Sequence, residues 1–194
     1  MTRARALLIV VVLGLVAGTV TDGCAGEPTD QLRTAIEQVY RITQSSTPTR
    51  ASDNTSAEIL DQMFDWSRMA RAALRRHWET RTPEERAEFT TLFAGLFRRA
   101  YVSRIHLVDA SKFQYLGDRI DGERATVKTK VSTKRGSALD VDYAMRLGDG
   151  QRWRVDDVLV ERISLLDNYR EQFDAFLARQ SFDALLQKLR GAGK

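Results

Sequence analysis

The chain carries one cysteine, Cys24, and two histidines, His77 and His106, among 194 residues. So little sulfur excludes a disulfide framework, and stability has to come from a hydrophobic core. Neither histidine has a carboxylate or a second ligand at metal-site spacing, so no zinc motif is present; both read as surface or helix-packing residues. Glycine-rich phosphate loops and nucleophile elbows are missing as well. Nor is there a large excess of charge: 30 basic against 26 acidic residues give +4. That balance is compatible with anionic lipid headgroups or acidic partners and is far too weak to argue for nucleic acid. The one long aliphatic run, Ala6 to Val20, is shorter than the roughly 20 residues that span a bilayer.

That run follows a basic Thr2-Arg3-Ala4-Arg5 and precedes small and polar residues, the pattern of a secretory signal peptide over residues 1–25. Gly23, Ala25 and Gly26 are all small enough for a cleavage site. Cutting after Ala25 or Gly26 removes the only cysteine; the competing reading, a lipoprotein acylated at Cys24, is poorly served by Thr21 and Asp22. Loss of Arg3, Arg5 and Asp22 with the leader leaves +3. The remainder, residues 29–191, suits one domain, and 43% hydrophobic content supplies a core.

Helical spacing of Leu32, Ile36, Val39 and Tyr40 predicts a first helix capped by Thr29 or Asp30. The following SSTPTRASDNT, Ser45 to Thr55, reads as an exposed loop. A short helix around Ala57 to Met63 then leads into another from Trp66 to about Trp78. Thr82-Pro83-Glu84-Glu85 combines an N-cap, a proline at the first helical position and a capping-box glutamate. The helix that starts there, with its Phe89 to Tyr101 stripe, extends to about Leu107. Past it the period becomes alternating, and turn signals at Asp121-Gly122, Arg135-Gly136 and Asp149-Gly150 separate four strands, about 113–120, 123–133, 137–147 and 152–160. They form an antiparallel meander with one wet and one covered face. Helices at Leu165 to Ala178 and Phe182 to Arg190 return to the covered face.

In the last strand Trp153 and Val155 share one parity while Val158 and Val160 have the other, which predicts a bulge near Asp156 and Asp157. Ser164 can cap the helix that follows. Of the acid pairs, Asp140 and Asp142 face water. Asp157 is the better candidate for a general base, because its parity matches Trp153 and Val155 if the strand stays regular; the competing role is to stabilise the bulge. Arg68, Arg71, Arg75 and Arg76 form a basic stripe, joined by Arg98, Arg99 and Arg104 on the next helix. A solvated face paired with nearby acids is the plain reading, and docking to an acidic surface or a lipid headgroup is the functional one.

Three blocks together resemble the MlaC family, also called toluene-tolerance proteins. They are Phe64-Asp65-Trp66-Ser67-Arg68-Met69-Ala70 with the later Trp78, the PEERAEFTTLFAGLFRRAYVSRI of Pro83 to Ile105, and Trp153 to Leu177 with Asp167-Asn168-Tyr169-Arg170 inside it, followed by Phe182-Asp183-Ala184-Leu185-Leu186. The resemblance implies an α+β fold, a curved four-stranded antiparallel sheet packed with about six helices around a deep apolar cavity, related in shape to NTF2-like cones. It implies a periplasmic phospholipid carrier, not an enzyme, working between an outer-membrane lipoprotein-porin complex and an inner-membrane ABC transporter whose lipid-binding subunit has an MCE domain. The chain is then expected to be monomeric, with phospholipid as cargo and no cofactor or metal. Given such a cavity, periodicity nominates Val127, Val131, Leu139, Val141, Tyr143, Met145, Trp153 and Val155 from the sheet and Phe93, Phe97 and Tyr101 from the long helix as its lining. Arg68, Arg71 and Arg75 are the candidates for partner or headgroup contact. Rival readings are a carrier of another lipid such as a hopanoid, a small cone-fold enzyme with Asp157 as base, and a structural adaptor with a packed core.

Overall fold

The computed structural model describes residues 27–45, 50–105, 108, 112–134, 136–148 and 152–192. The expected leader with Cys24, and His106, lie outside the described residues. Among the described residues, six α-helices and one antiparallel sheet make up the fold. In chain order they are α1 (Glu27–Ser45), α2 (Arg50–Met63), α3 (Trp66–Leu74), α4 (Pro83–Ile105), β1 (Gln114–Asp121), β2 (Arg124–Ser132), β3 (Ala138–Leu147), β4 (Trp153–Val160), β5 (Ile163–Ser164), α5 (Leu165–Leu177) and α6 (Phe182–Gly191). The sheet order is β1-β2-β3-β4-β5. The fold class is the expected α+β meander with one more strand than the sequence indicated, the two-residue β5 that pairs with the end of β4.

Local chemistry explains most element ends. At the start of α4 the Thr82 backbone N–H donates to Glu85 Oε2 at 2.8 Å while the Glu85 N–H donates to Thr82 Oγ1 at 3.2 Å, the two halves of a capping box. Ser164 accepts from the Asp167 N–H at the start of α5, and Ser181 does the same for Ala184 at the start of α6. Asp65 accepts from the Arg68 N–H to begin α3. One expectation is corrected: much of the segment expected to be loop between Ser45 and Thr55 belongs to α2, which begins at Arg50. Among the described side chains of α2, Ser56, Leu60 and Met63 are buried; few apolar residues carry the helical period in this stretch, and turn-forming polar residues obscure it.

Two bulges curve the sheet. In the β1–β2 ladder Tyr115 pairs with Thr129 and Gly117 with Lys128, leaving Leu116 as the extra residue beside a glycine at φ 100°. In the β3–β4 ladder Ala144 pairs with Asp157 and Met145 with Val155, so Asp156 is the unpaired residue. This extra residue reverses the parity of β4, and Val155 and Val158 are both buried. The wet face carries the Lys130–Asp140 pair at 3.5 Å.

Candidate functional site

The concave face of the sheet presents rows of side chains set by register. From one end to the other they run Val131 beside Leu139, Thr129 beside Val141 and Val160, Val127 beside Tyr143 and Val158, Ala125 beside Met145 and Val155, and finally Leu147 beside Trp153. At the Trp153 end the concavity is filled. Phe64 from the α2–α3 junction sits against Val155 through a backbone bridge, with the Asp65 N–H donating to the Val155 carbonyl at 2.9 Å. Phe64 stacks on Trp66 at 4.7 Å and meets Phe97 edge-on at 5.3 Å. Further along α4, Phe89 and Phe93 pack on Phe173 of α5.

At the Val131 end the same concavity is open. A cavity of about 1120 Å³ lies between the sheet rows of Val131, Leu139, Val141 and Val160, the C-terminal half of α4, and helices α1, α5 and α6. From α4 come Leu96, Phe97, Ala100 and Tyr101; from α5 Leu165, Tyr169, Phe173 and Phe176; from α6 Leu185 and Leu189; from α1 Ile36 and Tyr40. The volume exceeds the roughly 300–1,000 Å³ of pockets for drug-sized ligands, and the wall is mostly apolar. A sealed void of this size would cost far more than the roughly 5–15 kcal/mol that holds a domain together, given about 24 cal/mol per Å³ of cavity. The protein can carry such a space only because it opens to solvent or is filled by a ligand. The opening is marked by the exposed members of the wall, Glu37 and Arg41 on α1, Asn168 and Gln172 on α5, Lys188 on α6, and Ala192 just past its end.

Of the eleven nominated lining residues, Phe97, Tyr101, Val131, Leu139 and Val141 face this cavity. The other six, Phe93, Val127, Tyr143, Met145, Trp153 and Val155, are buried in the core next to it. Periodicity assigned every one of them to the concave side; it carried no information on how far along each element the helices fill that side. The nominated lining also lacked residues of α1, α5 and α6, although the two C-terminal helices were expected against the covered face. The broad apolar stripe of Leu165, Tyr169, Phe173 and Phe176 is legible in the sequence, and all four of these residues line the cavity.

Tyrosines supply polarity in the wall, at Tyr101 and Tyr115, and just behind it, at Tyr143. The Tyr143 hydroxyl, buried, hydrogen-bonds that of Tyr101, and burial pushes both hydroxyl pKa values above the usual phenol range. Tyr115 is shifted upward as well, mainly by burial and next by Glu37, with Arg33 held 4.7 Å over its ring. All three stay neutral at physiological pH, so they can act as hydrogen-bond groups without adding charge.

Asp157 does not face the cavity. Its Oδ1 accepts from the Val158 N–H at 2.7 Å and the Leu166 N–H at 3.1 Å, and its Oδ2 accepts from the Ser164 hydroxyl at 2.6 Å. It ties the bulged strand to the first turn of α5, the stabilising role. Burial is the main cause of its raised pKa, and its three donors oppose the shift. The arginine stripe is largely paired, Arg68 with Asp65 at 3.2 Å, Arg71 with Glu79 at 2.8 Å and Arg76 with Asp174 at 3.7 Å. None of Arg68, Arg71 and Arg75 borders the cavity; Arg68 lines a separate polar groove of about 990 Å³ at the opposite end of the sheet, shared with Arg146, Arg154 and Asp61. His77 Nε2 lies 2.8 Å from Asp174 Oδ1, joining the 3-10 turn after α3 to α5. Among the described residues no helix is long and apolar enough to cross a membrane, and no group of three or more His, Cys, Asp or Glu could hold a metal.

A search of the curated proteins finds no match. Among solved structures, a phospholipid-binding protein from Ralstonia solanacearum, in complex with a phospholipid, superimposes with a TM-score of 0.71 at 20% identity, covering 87% of this chain and 97% of that one. The likeness establishes a shared fold. The family described as MlaC protein matches residues 33–191, and the chain belongs to the MlaC family.

Proposed function

We propose that this protein is a phospholipid carrier, exported by its N-terminal leader to the periplasm, which holds the acyl chains of one lipid in the cavity between the sheet and helices α4, α5 and α6. The single observation that carries the reading is the open apolar cavity of about 1120 Å³. Its physical purpose follows from water. Each exposed methylene costs roughly 0.8 kcal/mol, so two chains of about 16 carbons face a barrier above about 20 kcal/mol when they cross an aqueous space. An enclosed wall of Phe, Leu and Val side chains removes most of that barrier. The solved neighbour with a phospholipid bound and membership of the MlaC family support the same reading. Within it, the cargo passes between an outer-membrane lipoprotein-porin complex and the MCE-domain subunit of an inner-membrane ABC transporter, and the carriage maintains the lipid asymmetry of the outer membrane.

A transfer assay tests carriage. Protein stripped of lipid is incubated with donor vesicles of labelled phospholipid, re-isolated, and mixed with acceptor vesicles. Label that leaves with the protein and arrives in the acceptor is the expected result. Label that stays in the donor at every protein concentration contradicts the proposal.

A further inference from the structure

The cavity wall contains three charged side chains, Glu37, Arg41 and Lys188. Lys188 differs from most of the basic residues described above in what it touches. It lies in the last turn of α6, an exposed residue between Leu185 and Leu189, both of which belong to the cavity wall. Its ammonium sits 4.9 Å from the centre of the Phe176 ring, another wall residue. Arg190, two positions on, is bound to Glu88; Lys188 has no carboxylate within 4.0 Å of its ammonium among the described residues. A cation held over an aromatic ring at the edge of an apolar space keeps most of its charge available, since the ring quadrupole attracts it only weakly. On α5, Asn168 and Gln172, also in the cavity wall, are hydrogen-bonded to each other one turn apart, which adds neutral amide groups to the exposed part of the wall.

We propose that Lys188 is the anchor for the phosphate of the cargo, binding the phosphodiester oxygens at the mouth while the acyl chains lie in the cavity, and that it gives the carrier a preference for lipids with a net anionic headgroup. This rests on the carrier reading. Lipid chemistry supplies the reason: apolar walls hold any pair of acyl chains, so discrimination has to come from the rim, and a lysine–phosphate contact is a charge-assisted hydrogen bond. A net anionic headgroup keeps the phosphate charge for Lys188, whereas the ammonium of a zwitterionic headgroup competes for it.

The test loads delipidated protein from vesicles that contain phosphatidylglycerol, phosphatidylethanolamine and diacylglycerol with identical chains, and measures by mass spectrometry which lipid the re-isolated protein holds. The wild type should favour phosphatidylglycerol, Lys188→Arg should keep that order, and Lys188→Gln and Lys188→Glu should lower the phosphatidylglycerol to diacylglycerol ratio by about tenfold, as for loss of one charge-assisted hydrogen bond. The preference in the wild type should shrink as salt is raised. Unchanged ratios in Lys188→Glu, with lipid still loaded, overturn the anchor and leave carriage standing. A wild type that loads none of the three overturns both. Thermal stabilisation by inorganic phosphate alone, present in the wild type and absent in Lys188→Gln, would reassign the residue to free phosphate and also overturn the proposal.

Discussion

Asp157 is the residue at which the structure decides between two readings of the sequence, in favour of the stabilising one. With three donors on its carboxylate it closes the bulge and fixes the entry of α5, so Asp157→Ala should lower stability by about 1–3 kcal/mol, the cost of leaving buried donors unmet, read as a shift in the urea midpoint. Its pKa is raised in the fold, chiefly by burial. The native state therefore holds its proton to higher pH than the unfolded chain does. The linked stability is present in full below the ordinary aspartate value of about 3.9 and is lost as pH rises through the raised native value. Asp157→Asn keeps an oxygen for the two backbone donors and an amide toward Ser164 while removing the ionisation. Its stability relative to wild type should improve as pH rises through that window; urea unfolding of both proteins between pH 3.5 and 7 measures it, about these limits being chosen to bracket an ordinary carboxylate. A constant difference would mean that Asp157 titrates alike in both states. Lipid uptake should survive Asp157→Asn, in keeping with a residue outside the cavity.

At the scale of elements, register separates the filled end of the sheet from the open end. Leu139 belongs to an open row and Val155 to a filled one. Leu139→Trp should fold with little loss of stability because the ring enters free volume, and it should displace lipid. Val155→Trp should destabilise by about 1–3 kcal/mol through overpacking while the cavity itself is untouched. Unfolding midpoints and lipid content of the two proteins, measured side by side, decide the point. The end of α3 offers a further test. Arg75 has φ 47° and ψ −119°, backbone that a side chain resists, and it is exposed. Arg75→Gly should raise stability by about 1 kcal/mol; a lower urea midpoint would show that the arginine side chain contributes more than its backbone costs. The alternation in β3 and the opposed parities in β4 made the concave face and the bulge at Asp156 legible in the sequence, and Thr82 to Glu85 made the start of α4 legible. The start of α2 was hidden because Ser56, Leu60 and Met63 form too thin a stripe among turn-forming residues. The position of the cavity along the face was hidden for a different reason. Val127 and Val131 read alike as alternating valines and both are buried, and only the way the helices cover the face leaves Val131 bordering the cavity and Val127 away from it.

For the whole molecule, cargo and fold are coupled. The sheet face is filled at one end, and at the other its wall is completed by whatever occupies the cavity. Lipid that binds only the native state stabilises it by mass action, about 2.7 kcal/mol when lipid is present at 100 times its Kd. Delipidated protein should therefore melt several degrees below the loaded form in calorimetry, and equal melting would count against an open cavity. The most direct test of carriage is the identity of the lipid that travels with the protein. Protein purified from its native compartment without added lipid, then analysed by native mass spectrometry and lipid extraction, should carry one phospholipid per chain, and Leu139→Trp should carry much less. A protein that arrives without lipid, or with a hopanoid in the cavity, would contradict the phospholipid carrier.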